Sequence, residues 1–438
     1  MPESQPFGEE LSPESLRSLL DNQTLVVMGG GKGDEGKWGD AYAMSLFGDY
    51  KYVVGAVGGD NAGHTVHTND GRKFVGHNLP GSALSGKPVF LGQGKLVHIS
   101  GLEKEALEVQ WITWKKPNVL IANSAHVIIK SLHKILDTAI ENARSGQLGT
   151  TGSGIGPAVA TRWLRTGINF AELLVLDDAG IRRMAQELLL PWSKEFNLNL
   201  DNIIAEIRQE QAKLRDLIEQ WVIQVIADDF IQRAHIWGDR ILIEGAQSPS
   251  LGMFGWAYPN NTSNDTSFMG ILSSLGIRPV PGKVAELLVI KAFPSAVGTH
   301  EFPERVSHID PNLLEVEKQF GIDTGELWAT TGRPRMIAFP SPWLAYQQLI
   351  TGAPYTRGVS VRKLDVVPQF LRMVMAGQPI PVVTGYETNG TPIIWTHVKN
   401  ARELAQIYQS AIERALWASK VTLIGGFGAA PDKSRVIQ

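Results

Sequence analysis

The sequence contains no cysteine, which excludes disulfides, thiolate metal sites and cysteine nucleophiles. It also lacks an excess of either charge: 41 Lys and Arg against 44 Asp and Glu leave a formal net charge of −3. That balance removes the global electrostatic case for DNA, RNA or an acidic membrane as partner. No stretch approaches the roughly eighteen uninterrupted apolar residues of a transmembrane helix. Residues 1–23 are polar and lean acidic through Glu3, Glu9, Glu10 and Glu14, without the basic-then-apolar order of a signal peptide. A cytoplasmic protein is therefore expected. Internal repeats and low-complexity tracts are absent as well. Glycine, by contrast, is plentiful, with 45 Gly and 24 Pro among 438 residues, so their placement carries the information.

The chain is long enough for about three domain-sized units, or for one large α/β domain with additions. Short apolar runs at 24–28, 52–57, 89–91, 119–122, 241–243, 287–290 and 421–424 read as buried parallel strands, several ending in glycines. Helical segments separate many of them, which predicts an α/β fold around a largely parallel sheet. Within residues 170–240 apolar positions recur at helical spacing, as in Ile203, Ile207, Leu214, Leu217, Trp221 and Val225. A mostly helical insertion is expected there, and another amphipathic helix over 400–419. Residues 1–23 read as an N-terminal extension to a domain spanning 24–438.

Five glycine- or charge-rich clusters stand out, the first, second and fifth of them at strand ends. Gly31 to Lys37 satisfies the G-x-x-x-x-G-K spacing of a phosphate loop, but Trp38 follows where a hydroxyl is usual. Backbone amides there could curl around phosphate oxygens, with Lys37 as a point charge and Asp34 in place of the missing metal-binding hydroxyl. A plain glycine-rich turn fits the same letters. Gly58 to Thr65 offers amides, Asn61 and His64; an imidazole beside phosphate can act as general acid or electrostatic stabiliser. A core or solvated histidine is the ordinary reading, and zinc fits poorly without cysteine or helical His spacing. Gly149 to Pro157 alternates glycines with hydroxyls, as a phosphate cup or a flexible turn. Ala329 to Arg335 pairs hydroxyls with two guanidinium forks that suit carboxylate or phosphate. Lys363-Leu364-Asp365 has the Lys-x-Asp form with which GTP-binding proteins read guanine N1–H and its 2-amino group.

Taken together, GDEGK (33–37), NAGHT (61–65), GTTGSGIGPA (149–158), EGAQ (244–247), the 258–263 segment, ATTGRxR (329–335) and KLD (363–365) resemble adenylosuccinate synthetase, in that family's order. The resemblance implies a P-loop-like GTP-binding ligase fold and a GTP-dependent ligation of L-aspartate to C6 of IMP through a 6-phosphoryl intermediate. It implies Asp34 as base, with His64 and Lys37 stabilising the transferring phosphoryl, and Mg²⁺ on Asp34 and the Gly63 carbonyl. GTP would meet Gly33, Glu35, Gly36, Lys37, Arg335, Lys363, Asp365 and Gly428. The purine monophosphate would meet Asn61, Ala62, Gly63, Thr151, Gln247, Thr262 and Arg333, with Thr330 and Thr331 near the aspartate. Arg165 falls where the family uses an arginine of the partner subunit, which implies a homodimer. Several positions depart from the family pattern. Lys32 replaces a tryptophan, Trp38-Gly39 replaces Gly-Lys, and Pro334, Met336 and residues 298–305 differ near the amino-acid pocket. A relative accepting GMP or dGMP, or a nucleotide sensor without turnover, are the competing readings.

Overall fold

The computed structural model describes residues 6–61, 63–145, 148–192, 196–255, 258–297, 305–323, 335–342, 345, 355–386, 392–415 and 421–437. Its frame is one 12-stranded sheet. From one edge to the other the strands run Glu9–Glu10, Ser434–Val436, Thr422–Gly426, Thr356–Arg362, Val284–Lys291, Thr24–Gly29, Ile241–Glu244, Tyr52–Gly58, Val89–Val97, Val119–Ala122 and Ile223–Ile226. His126–Val127 adds a further pairing to Val89–Val97. Every pairing from Thr422–Gly426 across to Ile223–Ile226 is parallel; only Glu9–Glu10 and Ser434–Val436 pair antiparallel. The expected strands are all present; that at 119–122 keeps its bounds, that at 421–424 shifts to Thr422–Gly426, and the others are longer by one to several residues.

The central strands are buried on both faces, which is why they read as unbroken apolar runs rather than alternating ones. One core gathers around Leu25 to Met28, Val53, Phe90 and Ile241 to Ile243. A second gathers around Ile290, Phe293, Phe320, Phe370 and Val359, where Phe293 stacks on Phe370 at 4.1 Å between ring centroids.

At the periphery one expectation needs correction. The 170–240 insertion carries helices Phe170–Val175, Asp178–Leu189, Leu200–Glu219 and Phe230–Ile236, yet it also supplies the sheet's outermost strand, Ile223–Ile226. Trp221 and Val225 belong to a turn and an edge strand, not to one long helix. Residues 6–23 join the same sheet and core. Glu9 and Glu10 pair with Val436 and Arg435, and Leu16, Leu19 and Leu20 are buried in the main core. Helix 400–419 is observed as Ala401–Ala415.

Candidate active site

Strand order changes direction around Thr24–Gly29. The chain first fills the sheet toward Ile223–Ile226, returns through Ile241–Glu244, then fills the other half. Such a switch point leaves a crevice at the carboxyl ends of the strands, where open α/β sheets bind ligands. The loops emerging there are 30–36, 59–63 and 245–250, from three adjacent strands.

The first loop is organised by Glu35. Its carboxylate is buried and accepts from the amides of Gly31 (3.2 Å) and Gly33 (2.8 Å), while Lys37 Nζ approaches its other oxygen at 3.4 Å. Burial pushes this carboxyl up, but Lys37, the Glu35 and Gly33 amides and Lys291 together hold it below the usual range. The hydroxyls of Ser248 and Ser250 donate to the Gly31 carbonyl, fastening loop 245–250 to loop 30–36. Gly29 is required at the strand end, because a Cβ there would meet the Glu35 carboxylate at 2.5 Å and the Gln247 carbonyl at 2.7 Å. Glu35, expected as a nucleotide contact, thus points its side chain inward. Asp34 is exposed.

Asp34 takes a left-handed backbone, φ 54°, and Gly36 does so at φ 84° as it caps helix Lys37–Phe47. Left-handed φ in a non-glycine residue stores about 1–3 kcal/mol and tends to mark functional positions. Gln247 (φ 54°), Lys363 (φ 65°) and Arg165 (φ 61°) share that conformation. Four positions singled out from the sequence therefore carry backbone strain.

A cavity of ≈ 670 Å³ opens over these loops. It brings together Gly33, Asp34 and Lys37 from the first loop, Asn61 and Gly63 from the second, and Thr151, Gln247 and Thr262 from three further stretches. Asn61 Oδ1, Gln247 Oε1 and Asn260 Oδ1 are buried with no hydrogen-bond partner among the described residues. A buried amide oxygen left unpaired costs about 1–3 kcal/mol, so three at one cavity argue for a polar ligand that pairs them.

Lys363, Asp365 and Gly428 do not line this cavity. They cluster apart from it, at the ends of the neighbouring strands Thr356–Arg362 and Thr422–Gly426. Arg165 is exposed, beside the exposed Trp163 and Leu164. His64 opens the strand His64–His67 next to Gly63, and Arg335 opens Arg335–Ile337. Ala62, Thr330, Thr331 and Arg333 lie outside the described residues.

Several contributors were missed from the sequence. Asp137 and Glu141, one turn apart on helix Lys130–Ala143, accept from the amides of Gly154 (2.8 Å) and Gly149 (2.6 Å) and shape the third glycine loop. Their i, i+4 spacing was the available signal, but on an amphipathic helix it reads as a solvated face. Glu244 is buried beneath the crevice, accepting from the amides of Gly81 (2.9 Å) and Ser82 (3.2 Å). Burial pushes it up to about 7, against those amides, the Ser82 hydroxyl and Lys37. Among the described residues Asp60, His77 and Glu105 could hold a metal by proximity. Lys130 already pairs with Asp60 at 2.9 Å, and Glu105 is taken by the Asn78 and Leu79 amides.

The sequence model of the adenylosuccinate synthetase family matches residues 26–435. The adenylosuccinate synthetase of Zygosaccharomyces rouxii is 31% identical over 388 residues, covering 83% of this chain and 81% of that one. A fully ligated adenylosuccinate synthetase from Plasmodium falciparum superposes with a TM-score of 0.76 at 23% identity, over 95% of this chain and 100% of that one. The succinoaminodeoxyadenylate synthetase of cyanophage S-2L, bound to dGMP and dATP, does so at 0.62 and 18%, over 95% of each. At these identities the two solved structures speak for the fold alone.

Proposed function

Because the chain belongs to the adenylosuccinate synthetase family, and is thereby a GTP-dependent ligase joining L-aspartate to IMP, we propose that the ≈ 670 Å³ cavity is where that ligation runs. The convergence of Gly33, Asp34, Lys37, Asn61, Gly63, Thr151, Gln247 and Thr262 on one cavity carries this reading. Asp34, exposed to the cavity, takes the N1 proton of the 6-oxopurine, so O6 can attack the γ-phosphorus of GTP and release GDP. Lys37 offsets charge on the transferring group without reorganising, since Glu35 already holds it, while the Gly31 and Gly33 amides bind Glu35 and fix the shape of the loop. His64, adjacent to Gly63, is assigned to charge on O6. The amine of aspartate then displaces phosphate from C6 and gives up a proton. Thr330, Thr331 and Arg333 are assigned to the aspartate and monophosphate by their motif.

Asp34 and Gly63 line one cavity, and a carboxylate and a backbone carbonyl are hard oxygen donors of the kind that suits Mg²⁺. When bound, Mg²⁺ supplies charge neutralisation on the triphosphate. Arg165 is exposed with Trp163 and Leu164, which supports a role toward a second copy, and a homodimer is the assembly proposed. Among the described residues no helix is long and apolar enough to cross a membrane; we assign the enzyme to the cytoplasm.

A phosphate-release assay crossing IMP, GMP and dGMP against GTP, ATP and dATP, with and without aspartate, tests the reading. Release that requires IMP, GTP and aspartate together is the expected result. Release only with GMP or dGMP would replace the acceptor. The unpaired oxygens of Asn61, Gln247 and Asn260 favour that as the second reading, because a 2-amino group could donate to them. No release with any combination would leave a sensor.

Two substitutions follow from the same assignments. Gln247→Ala should raise KM for the purine monophosphate about tenfold, the worth of one hydrogen bond, without lowering Tm. A fall in Tm with KM unchanged would make Gln247 structural. Asp365→Ala should erode the preference for GTP over ATP, read as the ratio of kcat/KM values; an unchanged ratio would remove it from base recognition.

A further inference from the structure

Arg362 ends the strand Thr356–Arg362, one residue before Lys363. Its guanidinium is buried and forks three ways. Nη1 lies 3.4 Å from Asp40 Oδ1 and donates to Ser434 Oγ at 2.8 Å, while Nη2 donates to the Gly428 carbonyl at 3.1 Å. Asp40 sits in the first turn of helix Lys37–Phe47, whose amino end is the phosphate loop, and its other oxygen accepts from Ser360 at 3.0 Å. Glycines make the passage possible. A Cβ on Gly39 would come within 3.3 Å of Nη2, and one on Gly426 within 2.8 Å of Cδ.

One cation therefore touches the phosphate-loop helix, the strand end that carries Lys363 and Asp365, and the turn at Gly428. Gly39 stands where the family pattern has a lysine. The bare glycine lets a guanidinium from another strand occupy the neighbourhood of that helix turn instead. A planar fork suits this duty, because its donors serve several acceptors at fixed angles, whereas an ammonium is a single point charge.

We propose that Arg362 is a positioning residue for the nucleoside triphosphate, locking the base-reading turns at 363–365 and 428 to the phosphate-loop helix in one rigid frame. The proposal rests on the GTP reading above. It makes recognition of the two ends of GTP interdependent: freeing the base turns costs affinity for the whole nucleotide, not for the base alone. The monophosphate contacts assigned to Asn61, Thr151, Gln247 and Thr262 come from other loops, so they should be unaffected.

The test compares Arg362→Met, Arg362→Lys and Asp365→Ala by steady-state kinetics and thermal melting. Both Arg362 variants should raise KM for GTP about tenfold or more, the worth of at least one charge-assisted hydrogen bond. The GTP-over-ATP preference should fall with it, while KM for IMP stays within about twofold and kcat falls less than KM rises. Arg362→Lys keeps a charge beside Asp40 and protects the fold where Arg362→Met does not. KM for GTP and the nucleotide preference both unchanged in folded Arg362→Lys, with only Tm lowered, would overturn the proposal and make the residue structural. Asp365→Ala separates the two failures. If it leaves the preference intact while the Arg362 variants raise KM for GTP, the base reading falls and the positioning of the phosphate loop stands.

Discussion

Asp34→Asn is expected to lower kcat by about 10²–10⁴, the usual contribution of a positioned general base, while GTP still binds within a few-fold of the native affinity. Asparagine fills the same volume and tolerates left-handed φ nearly as well as aspartate, so the loop should keep its shape. The Gly31 and Gly33 amides remain bound to Glu35, so the loop keeps its shape, and Lys37 remains in place to meet phosphate. Turnover and nucleotide binding thus separate in this variant. Single-turnover phosphate release with a parallel GTP titration measures both; wild-type turnover would show the base to be another group.

Glu35→Ala should act on stability, at a cost of about 3–5 kcal/mol, because it strands the buried Lys37 ammonium and two loop amides together. Nucleotide binding should fail with it. The effect is pH-dependent in a definite sense. The folded-state pKa of Glu35 lies below its ordinary value of 4.5, so its stabilisation is present above that value and lost as pH falls through the folded pKa. The stability gap between native and variant chains should therefore be widest near neutrality and narrow in acid. Urea unfolding at pH 7 and at pH 4 measures it, and a gap that widened in acid would remove Glu35 as the ionised anchor.

These two neighbours show how far the sequence could be read. Glycines after apolar runs placed the loops correctly, since a strand must end and turn sharply where a backbone approaches a ligand. Letters alone did not separate the roles of two adjacent carboxylates. Asp34 faces the cavity and Glu35 faces inward because positive φ at Asp34 and Gly36 twists the chain between them. Partnerships over long separations were equally hidden. Asp40, on helix Lys37–Phe47, meets Arg362 at a strand end, and Ser82, on a short 3-10 helix, meets Glu244 at another, only because the fold brings these distant elements together. The strand Ile223–Ile226 escaped for a different reason. Only Ile223 is fully buried, so an edge strand of four residues lacked both the alternation and the apolar run that mark its central neighbours.

The pairing of Glu9–Glu10 with Ser434–Val436 has a consequence for how the molecule is assembled. Residues nearly the whole chain apart are hydrogen-bonded neighbours, so the backbone traces an almost closed circuit. The strand closing that circuit contains Ser434, which holds Arg362, and the carboxyl end of the domain thereby reaches the nucleotide frame. A chain growing from its amino end has the phosphate loop and both central strands in hand long before this latch exists. Loss of the Ser434–Val436 pairing should therefore withdraw the Ser434 contact from Arg362 and loosen the proposed frame from the far edge of the sheet.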